Sequence, residues 1–151
     1  MQTSSRAVIE GGPDNYLGSA VAHVGDLDGD GTDDIAVGAD RDDDGGNQAG
    51  AVYIFDETVS GTFTVYLLDT ITSGSQSLSG ASGQLTGQHT GDNLGSGLAS
   101  GDFNGDGLSD VAVGAYDESS AASYAGQVYV FDGPAARVAS VSAADASFPG
   151  E

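Results

Sequence analysis

The stretch GDLDGDGTDDIAVGA (Gly25–Ala39) sets Asp26, Asp28, Asp30 and Asp34 in one short turn and runs at once into an apolar segment. GDFNGDGLSDVAVGA (Gly101–Ala115) repeats the arrangement with Asp102, Asn104, Asp106 and Asp110. A shift of 76 positions lays Asp26–Asp56 on Asp102–Asp132 without a gap, and 15 of those 31 positions are identical. Upstream, DNYLGSAVAHVGD and DNLGSGLASGD align once two residues are skipped. Such self-similarity marks a duplicated structural unit.

Each unit reads as short strands separated by Gly-rich turns. Ser19–Val24 and Ser96–Ser100 are small and apolar and lead into the acidic loop, and Asp34–Gly38 and Asp110–Gly114 leave it. Ala51–Asp56 and Gln127–Asp132 are rich in β-branched and aromatic residues, the composition of a pleated, half-buried surface. A fourth strand is expected around Gln84–Gly87 and again around Ser147–Gly150, and Ala7–Glu10 aligns with it. No amphipathic helix of useful length is found. Thr62–Ser77 accounts for most of the extra length of the first unit and reads either as a longer hairpin or as an insertion.

This pattern predicts an all-β protein built as a radial or stacked array: two four-stranded blades, spanning residues 5–80 and 81–151. Propellers close with about 4–8 blades. Two blades alone would leave apolar sheet faces in water. The chain is therefore expected to be part of a larger propeller or to close one with copies of itself, its chain ends completing a neighbour's blade.

Numbered from Asp26, oxygen-bearing side chains occupy loop positions one, three, five and nine in both units, and position six is Gly (Gly31, Gly107). Calcium takes 6–8 oxygen ligands, and alternate oxygen side chains on a tightly turning loop can curl around it. The crowded carboxylates repel one another, and a divalent ion removes that repulsion. Magnesium suits the loops less well, since it demands a rigid octahedron. Zinc suits them poorly, with no His or Cys nearby. An EF-hand is excluded, because position twelve is Val37 or Val113 rather than Glu and the flanks are strand-like. A dockerin-type repeat fails on the same grounds.

Leu17-Gly18-Ser19, Gly25–Gly31 and Asp34–Ala39, with Leu94-Gly95-Ser96, Gly101–Gly107 and Asp110–Ala115, resemble two FG-GAP repeats, the blades of integrin alpha-subunit-type β-propellers. Leu17 and Leu94 stand where the motif has Phe. The resemblance implies one calcium per loop, about two per chain. It implies as ligands Asp26, Asp28, Asp30, the Thr32 carbonyl and Asp34 in the first loop. In the second they are Asp102, Asn104, Asp106, the Leu108 carbonyl and Asp110. It also implies a non-catalytic module of extracellular or cell-surface adhesion or recognition, with a protein or glycan ligand as a further partner. Two alternatives accompany this reading: the accessory propeller of a secreted hydrolase, and a self-assembling unit whose two-blade chains oligomerise into a closed ring.

Composition agrees with a cation partner. Three basic residues against 23 acidic ones give a net charge of −20. Nucleic-acid binding needs Lys and Arg to displace counterions, and anionic membrane surfaces select the same residues. No apolar run approaches the roughly 20 residues of a membrane helix. The start, MQTSSRAVIEGG, carries no signal-peptide core, so the chain is expected to be cytosolic or a piece of a longer secreted protein. Without cysteine there are no disulfides or thiolate sites.

The remaining features read as structural. GSGLASG (Gly95–Gly101) lacks the spacing of a phosphate-binding loop and reads as small residues for close sheet packing. Asp40–Asn47 reads as a solvated loop. His23 and His89 are isolated in sequence, and Tyr53, Phe55, Tyr129 and Phe131 alternate along strands as packing residues do.

Overall fold

The computed structural model describes residues 9–27, 29–55, 83–119, 123–133, 138–140, 144 and 146–150. They form nine strands: β1 (Leu17–Gly25), β2 (Asp34–Ala39), β3 (Ala51–Phe55), β4 (Gly83–Thr86), β5 (Leu94–Gly101), β6 (Asp110–Ala115), β7 (Gln127–Phe131), β8 (Val138–Ser140) and β9 (Ala146–Pro149). The first sheet has the order β1-β2-β3-β4-β8 and the second β5-β6-β7-β9. The first four strands of each are an antiparallel meander.

The duplication is kept in register. Ile35↔Phe55 and Val37↔Tyr53 in the first sheet reappear as Val111↔Phe131 and Val113↔Tyr129 in the second. The strands expected from the sequence lie where the structure has β1–β7 and β9. Two features differ. Ile9 and Glu10 adopt no strand, and Ala7 and Val8 lie outside the described residues. In addition, β8 leaves the second repeat and pairs parallel to β4, with Leu85 opposite Ala139. Sheet membership therefore does not follow the sequence division at 80/81, since β4 and β8 both belong to the first sheet. Thr62–Ser77 lies outside the described residues.

Side chains alternate across each sheet, so every strand feeds two faces. On one face of the first sheet Ala36, Val52, Ile54 and Leu85 are buried, together with Val24 and Leu27. They pack on Leu94, Val111, Val113, Tyr129 and Phe131 of the second sheet. This joint is the main core. Each large side chain withdrawn from water there contributes about 1.5–3 kcal/mol. The opposite face of the first sheet buries Val37, Tyr53 and Phe55, with Ile9 and Leu17 packed against them.

Backbone also crosses the joint. Leu94 N–H donates to Ala49 O (3.0 Å) and Asn93 N–H to Gln48 O (3.2 Å). Ser19 Oγ donates to Gly95 O (3.2 Å) and Ser100 Oγ to His23 O (2.9 Å). Gly95 of β5 and Gly38 of β2 permit this approach, because a side chain on Gly95 would strike the Ala51 carbonyl and one on Gly38 the Gly95 carbonyl. GSGLASG is thus a packing surface, as its composition predicts.

Candidate metal-binding loops

The two acidic loops join β1 to β2 and β5 to β6, so both lie at the same end of their sheets. They are also neighbours: Leu27 O, Ser109 O and Leu108 Cβ all approach Gly133. Each loop winds around its first Asp. Asp26 Oδ1 accepts N–H from Gly29 (2.7 Å) and Asp30 (3.0 Å), and Oδ2 accepts Gly31 N–H (2.9 Å). Asp102 repeats this with Gly105 (2.6 Å), Asp106 (3.0 Å) and Gly107 (3.0 Å). The turn requires left-handed backbone at position six, where Gly31 and Gly107 have φ of 92° and 89°.

The fifth position closes the next step. Asp30 Oδ1 accepts Thr32 N–H (2.8 Å) and Thr32 Oγ1–H (2.6 Å), and Asp106 Oδ1 accepts Leu108 N–H (2.8 Å). Asn104 Oδ1 accepts Asp106 N–H (2.8 Å). Position nine is the buried foot of the loop. Asp34 Oδ2 accepts Leu27 N–H (3.0 Å), and Asp110 accepts Phe103 N–H (2.8 Å) and Gly133 N–H (3.1 Å). Asp28 lies outside the described residues, so the first ligand set is seen without it.

These residues fit a hard cation. The donor set is carboxylate, amide and carbonyl oxygen, with no nitrogen or sulfur, which is the chemistry of calcium. Asp26 Oδ2 and Asp102 Oδ2 each accept a single N–H, which leaves a lone pair for an ion. Each loop crowds like charge: Asp26, Asp30 and Asp34 in the first, and Asp102, Asp106 and Asp110 in the second. Asp26, Asp30, Asp34, Asp102, Asn104, Asp106 and Asp110 would hold such an ion, with the carbonyls of Thr32 and Leu108.

Among the described residues, the place where three His, Asp or Glu ligand atoms come within 4.8 Å of one another is elsewhere, at His89, Asp92 and Glu118. Those residues lie on the β4–β5 and β6–β7 connections, at the end of the sheets opposite the acidic loops. Sequence reading missed this group, because Glu118 is 26 positions beyond Asp92. The short spacing of His89 and Asp92 was its only local sign.

Asp40–Asn47 also departs from expectation. Asp42 is buried rather than solvated, and accepts bonds from Asn15 Nδ2 (2.7 Å), Tyr53 O–H (2.8 Å) and Asp44 N–H (2.9 Å). Burial raises its carboxyl above the usual range, against the lowering effect of the Asp44 N–H and Tyr53 hydroxyl. The Tyr53 hydroxyl is itself pushed far up by burial and by Asp42.

Two antiparallel meanders stacked face to face, each with an acidic loop between its first two strands, define β-propeller blades. Residues 17–55 and 94–131 match the FG-GAP repeat, just over half of the chain, and the chain belongs to that family. FG-GAP repeats often bind calcium and are typically extracellular. No helix among the described residues is long and apolar enough to cross a membrane.

Proposed function

We propose that this chain is a non-catalytic, calcium-binding propeller module of extracellular adhesion or ligand recognition. The observation that carries the calcium reading is the equivalence of the two loops. Loops 76 residues apart gather the same N–H groups around the first Asp and hold oxygen donors at the same positions. Calcium bound there supplies charge neutralisation. The chain's own part is to orient the carboxylates by backbone N–H donation and to anchor each loop through a buried Asp. Ion binding is then coupled to blade order.

Calorimetric titration with calcium tests this. One ion per loop is expected, and Asp30→Ala and Asp106→Ala should each remove one. Parent-like binding by both variants would refute the ligand assignment.

A second observation bears on partners. Three positions buried at the joint on the first blade are exposed at the equivalent places on the second: Leu27 (0%) against Phe103 (55%), Val52 (0%) against Val128 (41%), Leu85 (0%) against Phe148 (61%). The fitting partner for that face is another blade, from the same parent protein or an identical subunit. This favours a ring completed beyond two blades. The adhesion role and a protein or glycan ligand rest on the family.

A further inference from the structure

At the rim opposite the acidic loops, the second blade gathers charge that the first blade does not. In the first blade the turn after β2 buries one carboxylate, Asp42, served by Asn15, Tyr53 and Asp44 N–H. At the same place in the second blade stands Glu118, also buried, and the duplicated Tyr is Tyr129. Here Asn93, the counterpart of Asn15, donates instead to Asp117 Oδ2 (2.9 Å). A second buried carboxylate, Asp92, joins Glu118. His89 completes the group, its Nδ1 3.3 Å from Asp92 Oδ2.

We propose that His89, Asp92 and Glu118 form a second kind of cation site, one that takes a divalent first-row transition metal such as zinc rather than calcium. Two buried carboxylates beside an imidazole concentrate negative charge at one point, and a cation held between the three groups neutralises it. An imidazole nitrogen beside two carboxylate oxygens suits zinc, whereas calcium selects oxygen alone. Ligand atoms on a tetrahedral zinc, each about 2.0–2.2 Å from the ion, sit about 3.3 Å apart. The three atoms already lie within 4.8 Å of one another, so side-chain rotation closes the remaining gap.

The frame is built to hold them. His89 N–H donates to Asp92 Oδ2 (2.9 Å), and Glu118 is pinned by its N–H to Ala115 O (3.3 Å) and by Gly126 N–H to its own carbonyl (3.0 Å). The Asn93–Asp117 bond ties the two connections together. The Tyr129 hydroxyl faces the same charges and is pushed up to about 12, by burial first and then by Glu118 and Asp92. His89 is exposed and gives an ion its path from solvent. The site is independent of the calcium reading, since it uses none of the loop residues.

The test is a calorimetric titration of the full chain with zinc chloride in excess calcium, which keeps the acidic loops filled. The parent is expected to bind one zinc per chain. His89→Ala changes an exposed side chain and should leave the fold intact while weakening zinc binding about tenfold or more, since even outer-shell partners of a metal count for that much. Glu118→Gln should weaken it similarly. His23→Ala, which alters the exposed His23–Asp33 pair, should bind zinc as the parent does. A parent without a stoichiometric zinc site, or a His89→Ala variant with the parent's Kd, would overturn the proposal. Should Glu118→Gln fail to fold, His89→Ala alone decides.

Discussion

Gly38 of β2 and Gly95 of β5 meet backbone to backbone across the blade joint, and the Gly95 carbonyl fills the place a Cβ on Gly38 would take. Ser19 Oγ donates to that same carbonyl, so the oxygen is held from two sides. Gly38→Ala should therefore destabilise the chain by about 1–3 kcal/mol, the usual cost of overpacking. Gly97→Ala, where a Cβ meets nothing within 4 Å, is the matched control. Urea denaturation of both variants checks this, and equal midpoints would show that the joint can yield.

Asp106 and Asp110 share a loop but do different work. Asp110 is fully buried and accepts the N–H groups of Phe103 and Gly133. Asp110→Ala should lower stability even in chelator, by about 1–3 kcal/mol for each buried donor left unsatisfied. Asp106 is exposed and crowded by like charge. Asp106→Ala should hold or raise Tm in chelator while losing part of the rise that calcium gives the parent. Thermal melts with and without calcium separate the two.

The Asp42 carboxyl gives a pH signature. Its folded pKa is raised above the model-compound value of 3.8, chiefly by burial. It therefore binds its proton more tightly folded than unfolded. The associated stability is fully present below the unfolded pKa and is lost as pH rises through the higher folded value. The Tm of the parent should fall relative to that of Asp42→Asn as pH rises from about 4 toward neutral. A difference that stays flat or grows in the opposite sense would contradict the burial account.

The exposed face of the second blade predicts association. Val128→Lys with Phe148→Ser should weaken or abolish assembly with another blade, with little effect on the fold of the isolated chain, since both residues are exposed. Sedimentation velocity across a concentration series reads this directly. A parent that stays monomeric at every concentration would assign the face to a blade of a longer parent chain rather than to an identical subunit.

Much of this architecture is legible in the sequence. The 76-residue duplication located the strands, and the alternating Tyr53, Phe55, Tyr129 and Phe131 marked core, because both signals are local and repeated. The loop positions were legible for the same reason, and Gly31 and Gly107 have the backbone that their place in the motif demands. What escaped depends on contacts between distant segments. Val138–Ser140 is too short to announce itself, and its partner β4 lies more than fifty residues back. Asp42 looked like one charge among many, and its burial follows from the reach of Asn15 and Tyr53. His89 and Glu118 are united only by two turns that the fold brings to one rim.

The excursion of β8 has a consequence for how such arrays are divided. By lying along β4, those three residues shield an edge that would otherwise stand open, and they come from the far side of the neighbouring repeat. A fragment cut at the limits of one repeat would lose this cover and expose unpaired N–H and C=O groups, a template for misassembly. The smallest piece that can be excised whole is thus the interlocked pair, and any scheme for shuffling or transplanting these modules should move them two at a time.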